Sequence, residues 1–182
     1  MLRRNIELAD VEIVTDRLIL RPLGLIDLKP IAREFNERIT RYMFPTAAKS
    51  AMDVTPFIAD SLEGLNSNTN FQLAAVRREN REEFVGCLGL HKPHTITPEL
   101  GIWIAEKFHH QGFGLEAIEG LCEWVTVEIE YDYLKYPVDR ANAPSRRIPE
   151  TLGGEIEDEY DRITADGRTL NIVEYRIYPE TL

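Results

Sequence analysis

With 182 residues, 43% of them hydrophobic and 29% charged, the chain has the apolar content of one domain with a sizeable core and is not composed like a disordered segment. Its formal net charge of −10 disfavours nucleic acid and anionic membrane, which need basic patches, and is compatible with cationic substrates such as amines. No stretch reaches the ~18 consecutive apolar residues of a membrane helix. The opening Met1–Asp10 has two arginines but no apolar run, so it is not read as a secretory signal. Cys87 and Cys122 both lie in apolar surroundings and read as small buried hydrophobes, not as a disulfide or a metal knuckle. Free thiols suit a reducing cytosol, so a cytoplasmic location is expected.

Arg17-Leu-Ile-Leu-Arg-Pro-Leu23 is branched and apolar enough for a first strand. Asp27 is placed to cap a helix with Leu28, Ile31, Ala32, Phe35 and Ile39 at helical spacing, and Pro30 falls in its first turn. Residues 41–52 read as a loop. A second helix is expected to begin between Asp53 and Thr55, with Pro56 in its first turn and Phe57, Ile58, Leu62 and Leu65 inward. After the turn cluster 66–70, two strands at 71–76 and 83–90 are joined by a short polar link, as in a hairpin. A further strand, Glu99-Leu-Gly-Ile-Trp-Ile104, runs into a loop. An amphipathic helix follows, with Leu115, Ile118, Leu121, Cys122, Val125 and Ile129 on one stripe.

Tyr133-Leu-Lys-Tyr-Pro-Val138 is the next strand, and Pro137 implies a bulge or a position without a ladder partner. Asn142 caps a short helix that contains Pro144 and ends at Gly153-Gly154. Pro149 removes an N–H from that helix and is expected to distort it. Strands near 155–163 and 169–178 flank a turn at 165–168 and close as a hairpin. The fold class is therefore α+β: a mostly antiparallel central sheet flanked by about four helices, one domain over 1–182. Only the segment from 99 to 138 has the form of a right-handed βαβ crossover.

Chemistry concentrates in the loop His109-His-Gln-Gly-Phe-Gly114. It joins a strand to a helix start, where backbone N–H groups lack intrahelical partners and the dipole favours an anion. Gly112 and Gly114 allow close backbone approach, and a diphosphate fits such a site. A glycine-rich turn without a ligand is the other reading of the same residues. A dinucleotide fingerprint lacks its third glycine, since Ala117 stands there, and no Gly-Lys-Ser/Thr follows for a P-loop. His91 and His94 flank Pro93 in another segment, and no metal site is expected.

Taken together, the segments 15–23, Asp27, 84–90, 99–104, the loop 109–114 with Leu115-Glu-Ala117, and Asn142-Ala-Pro-Ser145 followed by Gly153 resemble the GNAT superfamily of N-acetyltransferases. Within it they are similar to the ribosomal-protein N-terminal acetyltransferases. The resemblance covers nearly the whole chain. It implies acetyl-coenzyme A as co-substrate and direct attack by an amine, either a protein N-terminus or a small molecule. Main-chain groups of Ile102, Trp103 and Ile104 would meet the pantetheine arm. His109, His110, Gln111, Gly112, Phe113 and Gly114 would hold the diphosphate, and Asn142 would bond the pantetheine amide or cap its helix.

The motif's usual arginine or glutamine is His109 here. The tyrosine that many relatives use as acid is replaced by Pro149, which leaves Ser145 for that role, and Glu99 is the favoured base ahead of Tyr42 and His91. A first-turn helix Ser145 bonded to backbone and a solvated strand-end Glu99 are the plain readings of the same residues. A non-catalytic acyl-coenzyme A module on the same fold is the alternative function. The last two strands, of which 169–178 is long and β-prone, suggest a homodimer contact.

Overall fold

The computed structural model describes residues 7–182; residues 1–6, part of the segment assessed for a secretory signal, lie outside the described residues. The strands are β1 (Ile13–Val14), β2 (Leu18–Pro22), β3 (Asn70–Arg77), β4 (Phe84–His91), β5 (Glu99–Ile104), β6 (Leu134–Asp139), β7 (Glu155–Ile163) and β8 (Thr169–Ile177). The helices are α1 (Leu28–Glu34), α2 (Glu37–Thr40), α3 (Ala51–Asn66), α4 (Phe113–Glu128) and α5 (Ala143–Thr151). All eight strands form one sheet in the order β1-β2-β3-β4-β5-β6-β8-β7. Neighbours are antiparallel except β5 and β6, which flank the crossover through α4 and are parallel.

Both faces of the sheet are covered, which is why β3 and β4 are buried along nearly their whole length. Strand alternation divides the core in two. Leu18, Leu20, Leu73, Leu88, Leu100, Tyr136 and Tyr175 pack with the apolar stripe of α4 on one face. Leu23, Ala74, Phe84, Cys87 and Trp103 pack with Ile31 of α1 and Val54 and Ile58 of α3 on the other. Helix α4 lies close on the sheet because Gly120 has no side chain: a Cβ there would stand 2.6 Å from Thr15 Cγ2. Among the described residues no helix is long and apolar enough to cross a membrane.

Several local expectations are corrected. Asp27 stands at the N-cap position of α1, but its side chain makes no cap bond to that helix. Its buried carboxylate pairs with both terminal nitrogens of Arg21 at 2.8 Å and accepts the Gly24 N–H at 3.0 Å. The helix expected through Ile39 breaks at Phe35–Asn36, where the Asn36 carboxamide accepts the N–H groups of Arg38 and Ile39 and starts α2. Helix α3 begins at Ala51, earlier than expected, because the Asp53 carboxylate reaches back to the N–H groups of Lys49 and Ser50 at 2.9 Å. Leu62 on that helix is exposed instead of inward. Helix α5 runs through Pro149 to Thr151, and its end is tied by the Gly154 N–H donating to the Pro149 carbonyl. The two-residue β1 had no sequence signal of its own.

Pro137 sits at a ladder position with nothing to donate to. The Lys135 N–H faces β5 and bonds the Pro98 carbonyl at 2.8 Å. Two residues on, the Pro137 nitrogen faces the same edge, where β5 and β6 no longer pair. Of the two strands expected at a subunit contact, β8 is enclosed by β6 and β7, so the ladder edge on this side of the sheet belongs to β7. That strand is exposed along its length and carries Glu155, Glu157, Asp158, Glu159 and Asp161, charges that discourage strand pairing.

Candidate active site

Strands β5 and β6 share a single bridge, Glu99 with Lys135, and then diverge. Trp103 and Gly101 turn their main-chain groups toward β4, where they oppose Cys87 and Gly89, and the Ala105 N–H continues that ladder to Val85. By alternation, the N–H and C=O groups of Ile102 and Ile104 look into the opening between β5 and β6. Trp103 is thereby placed apart from Ile102 and Ile104: its indole is wedged between Phe35 and Phe84, at 5.0 and 5.7 Å between ring centroids.

A cleft of ≈ 180 Å³ occupies the opening. Its lining comes from both faces of the sheet. On the α3 side it is lined by Glu99, Tyr42 and Phe44, with Tyr160 and Arg162 from β7; on the α4 side by Tyr136, Asn142 and Ser145. Glu99 and Ser145, 46 positions apart by number (145 − 99), thus line one cavity. Ser145 is held in the first turn of α5, whose Asn142 cap accepts its N–H at 3.4 Å, and its hydroxyl lies 2.9 Å from the buried phenol of Tyr136. Burial pushes the Tyr136 phenol well above its ordinary value, against the opposing hydrogen bond to Ser145. Tyr136 was missed at the sequence level, although its alternation with the buried Leu134 and Val138 marks it as inward.

His91 does not line the cleft. It lies across the ladder from Glu99, and its Nε2 would be 3.3 Å from a Cβ at Gly101. Burial draws its pKa down, with Glu99 opposing and Lys92 assisting. Imidazole at this position is therefore neutral at pH 7.

The loop after β5 is latched by its own side chains. His109 Nε2 lies 2.7 Å from the Ile104 carbonyl, and the Gln111 amide donates to the Lys107 carbonyl at 2.8 Å. His110, exposed, takes a positive φ of 60°, and Gly112 takes 80°. Phe113 turns inward instead, 1% exposed and edge-on to Phe108 at 5.6 Å. The first bond of the α4 ladder runs from Glu116 N–H to Gly112 C=O, so the N–H groups of Phe113, Gly114 and Leu115 have no intrahelical acceptor. Gly114 faces Ile148 of α5 and Ile104 of β5, where a Cβ would meet side chains at 3.3 and 3.7 Å. Although the chain is acidic overall, Arg17 and Arg77 stand over the Phe113 ring, 4.2 and 5.0 Å from its centroid.

The sequence of residues 17–155 matches the family model for the acetyltransferase (GNAT) domain. The chain belongs to the GNAT acetyltransferase family. No curated protein matches it by sequence. Solved structures of GNAT proteins share its fold. RimL, a ribosomal L7/L12 alpha-N-protein acetyltransferase in complex with coenzyme A, is 12% identical over 92% of this chain and 98% of its own, with a TM-score of 0.81. RimJ from Mycobacterium smegmatis, in complex with CoA-disulfide, is 16% identical over 91% and 83%, with a TM-score of 0.80. The spermidine N-acetyltransferase from Vibrio cholerae, in complex with CoA and spermine, is 18% identical over 90% and 96%, with a TM-score of 0.76. The GNAT sheet, mixed and mostly antiparallel, is the one described above.

Proposed function

We propose that the chain transfers an acetyl group from acetyl-coenzyme A to a primary amine, by direct attack within a ternary complex. The observation that carries this reading is the cleft between β5 and β6, with a carboxylate on one face, a hydroxyl on the other, and unpaired amides at the start of α4. Those amides and the glycine turn 109–114 bind the diphosphate. The main-chain groups of Ile102 and the N–H of Ile104 hydrogen-bond the pantetheine arm, the Ile104 carbonyl being taken by His109, and Asn142 lines the same cleft. The thioester carbonyl is thereby held in the opening.

The acceptor enters from the side of Glu99, Tyr42 and Tyr160. A protein α-amine has a pKa of about 8 and a lysine-like amine about 10.4, so the nitrogen must lose a proton at pH 7. Glu99 accepts it, directly or through water. The nitrogen bonds to the carbonyl carbon, the C–S bond breaks, and Ser145 gives its proton to the departing thiolate and regains one from the nitrogen, which sheds its second proton as the amide forms. No metal takes part in this reading. A cytoplasmic location agrees with two buried, unpaired cysteines.

RimL and the spermidine enzyme, both similar in fold, act on a protein terminus and on a polyamine respectively. Both acceptor classes belong in the test: a panel of N-terminal peptides and polyamines, incubated with acetyl-coenzyme A and followed by release of free thiol. Turnover of one class supports the reading. Saturable coenzyme binding without thiol release from any amine would favour a non-catalytic acyl-coenzyme A module.

A further inference from the structure

Arg17 immediately precedes β2, far in sequence from the turn 109–114, yet it touches that turn in several ways. Its Nη1 donates to the Gln111 carbonyl at 3.0 Å, and its Nε pairs with the Glu116 carboxylate at 2.6 Å. Its guanidinium covers the Phe113 ring, and Nη2 would lie 3.4 Å from a Cβ at Gly112. Glu116 in turn accepts the Arg17 N–H at 2.7 Å and the Thr15 hydroxyl at 2.6 Å. The Arg17 carbonyl is held by the Arg78 N–H at 2.9 Å, so its backbone is anchored in the sheet.

A peptide unit is planar and trans, so the C=O of one residue and the N–H of the next point in opposite directions. Fixing the Gln111 carbonyl against Arg17 therefore aims the Gly112 N–H the other way, out of the turn. Gly112 needs this help: at a φ of 80° it is a glycine in a region of easy rotation, and nothing covalent holds its peptide plane.

We infer that Arg17 is a positioning residue for the coenzyme site, orienting the 111–112 peptide so that the Gly112 amide faces the diphosphate. The inference rests on reading 109–114 as that site. Arg17 acts through the main chain and does not itself contact phosphate.

The test is calorimetric titration of the full chain with coenzyme A, alongside amide hydrogen exchange over residues 109–115. Arg17→Ala is expected to weaken binding about tenfold, and to speed exchange in 109–115. Arg17→Lys, which keeps a donor and a charge, is expected to stay within about threefold of the parent. The salt dependence of the affinity is expected to be the same in all three proteins, because no phosphate contact is lost. Affinity within about twofold of the parent and unchanged exchange in Arg17→Ala would overturn the inference. So would a reduced salt dependence, which would make Arg17 a direct phosphate ligand. If Arg17→Ala does not fold, Glu116→Gln takes its place and is expected to lose an intermediate amount; parent-like affinity and exchange in that variant overturn the inference equally. If the parent itself binds no coenzyme A, the coenzyme reading fails, and exchange in 109–115 still decides whether Arg17 holds the turn.

Discussion

The phenol oxygen of Tyr136 and the hydroxyl oxygen of Ser145 stand 2.9 Å apart at the α4-side wall of the cleft. Burial holds the phenol's pKa well above its ordinary value. Either hydroxyl of the pair can be the donor; where Tyr136 donates, the Ser145 proton is free to point into the cleft. Ser145→Ala is expected to lower kcat about a hundredfold, the scale of general acid catalysis, with KM for acetyl-coenzyme A nearly unchanged. Tyr136→Phe is expected to lower kcat by a smaller factor, about tenfold. Steady-state kinetics at saturating acceptor measure both. Equal losses in KM and kcat would assign the pair to coenzyme binding instead.

Glu99 is the carboxylate on the α3 side of the opening, where the proposed function places the acceptor. Glu99→Gln keeps the shape and removes the proton acceptor. The expected result is a fall in kcat/KM of about a hundredfold at pH 7 that is partly recovered at high pH, where more of the amine is already deprotonated. A pH–rate profile of parent and variant checks it. A flat ratio across pH would move the base elsewhere.

At Gly112 the penalty for any side chain is conformational. Its φ of 80° is left-handed, while the nearest atom to an added methyl, Arg17 Nη2, would be at an ordinary contact distance of 3.4 Å. Gly112→Ala should cost about 1–2 kcal/mol in stability, and weaken coenzyme binding as the turn relaxes. Thermal unfolding and calorimetry measure the two effects separately.

The α2–α3 loop that carries Tyr42 and Phe44 is held to the β7–β8 hairpin from outside. Arg168 donates to the carbonyls of Thr40 and Arg41 at 3.1 Å and of Met43 at 3.3 Å, and the Arg162 guanidinium lies 4.1 Å from the Phe44 ring centroid. Arg168→Ala should raise KM for the acceptor about fivefold and leave coenzyme affinity intact. The split between the two substrates is the readout.

Glu116 sets an acid limit. Burial raises its carboxyl pKa, but the bonds from the Thr15 hydroxyl and from the Arg17 amide and guanidinium outweigh that and hold it below the ordinary 4.5. A lowered folded-state value contributes stability above pH 4.5 that is lost as pH falls through the folded-state value. Thermal midpoints measured from pH 6 downward should decline, and Glu116→Gln should show a shallower decline over that window.

Much of this architecture was legible beforehand because it is local. The runs 71–76, 84–90 and 99–104 announce strands by composition, α4 by its stripe, and 109–114 by two glycines ahead of a helix. Pairings between distant residues were not legible. Thr15 and Arg17 meet Glu116 across about a hundred residues, and nothing near Arg17 distinguishes a brace from an ordinary surface cation. Tyr136 reads as one more inward side chain until α5 folds back and sets Ser145 against it. The α1–α2 break was lost for a different reason. Apolar spacing continues through Ile39, and only the competing hydrogen bonds of Asn36 show that the chain turns there. Side-chain identity at β7 likewise says acidic, but not that the strand ends the sheet.

The divergence of β5 from β6 leaves the sheet open between them. On the proposed reading, donor and acceptor occupy opposite sides of that opening, so initial-rate patterns are expected to show that neither has to be loaded first.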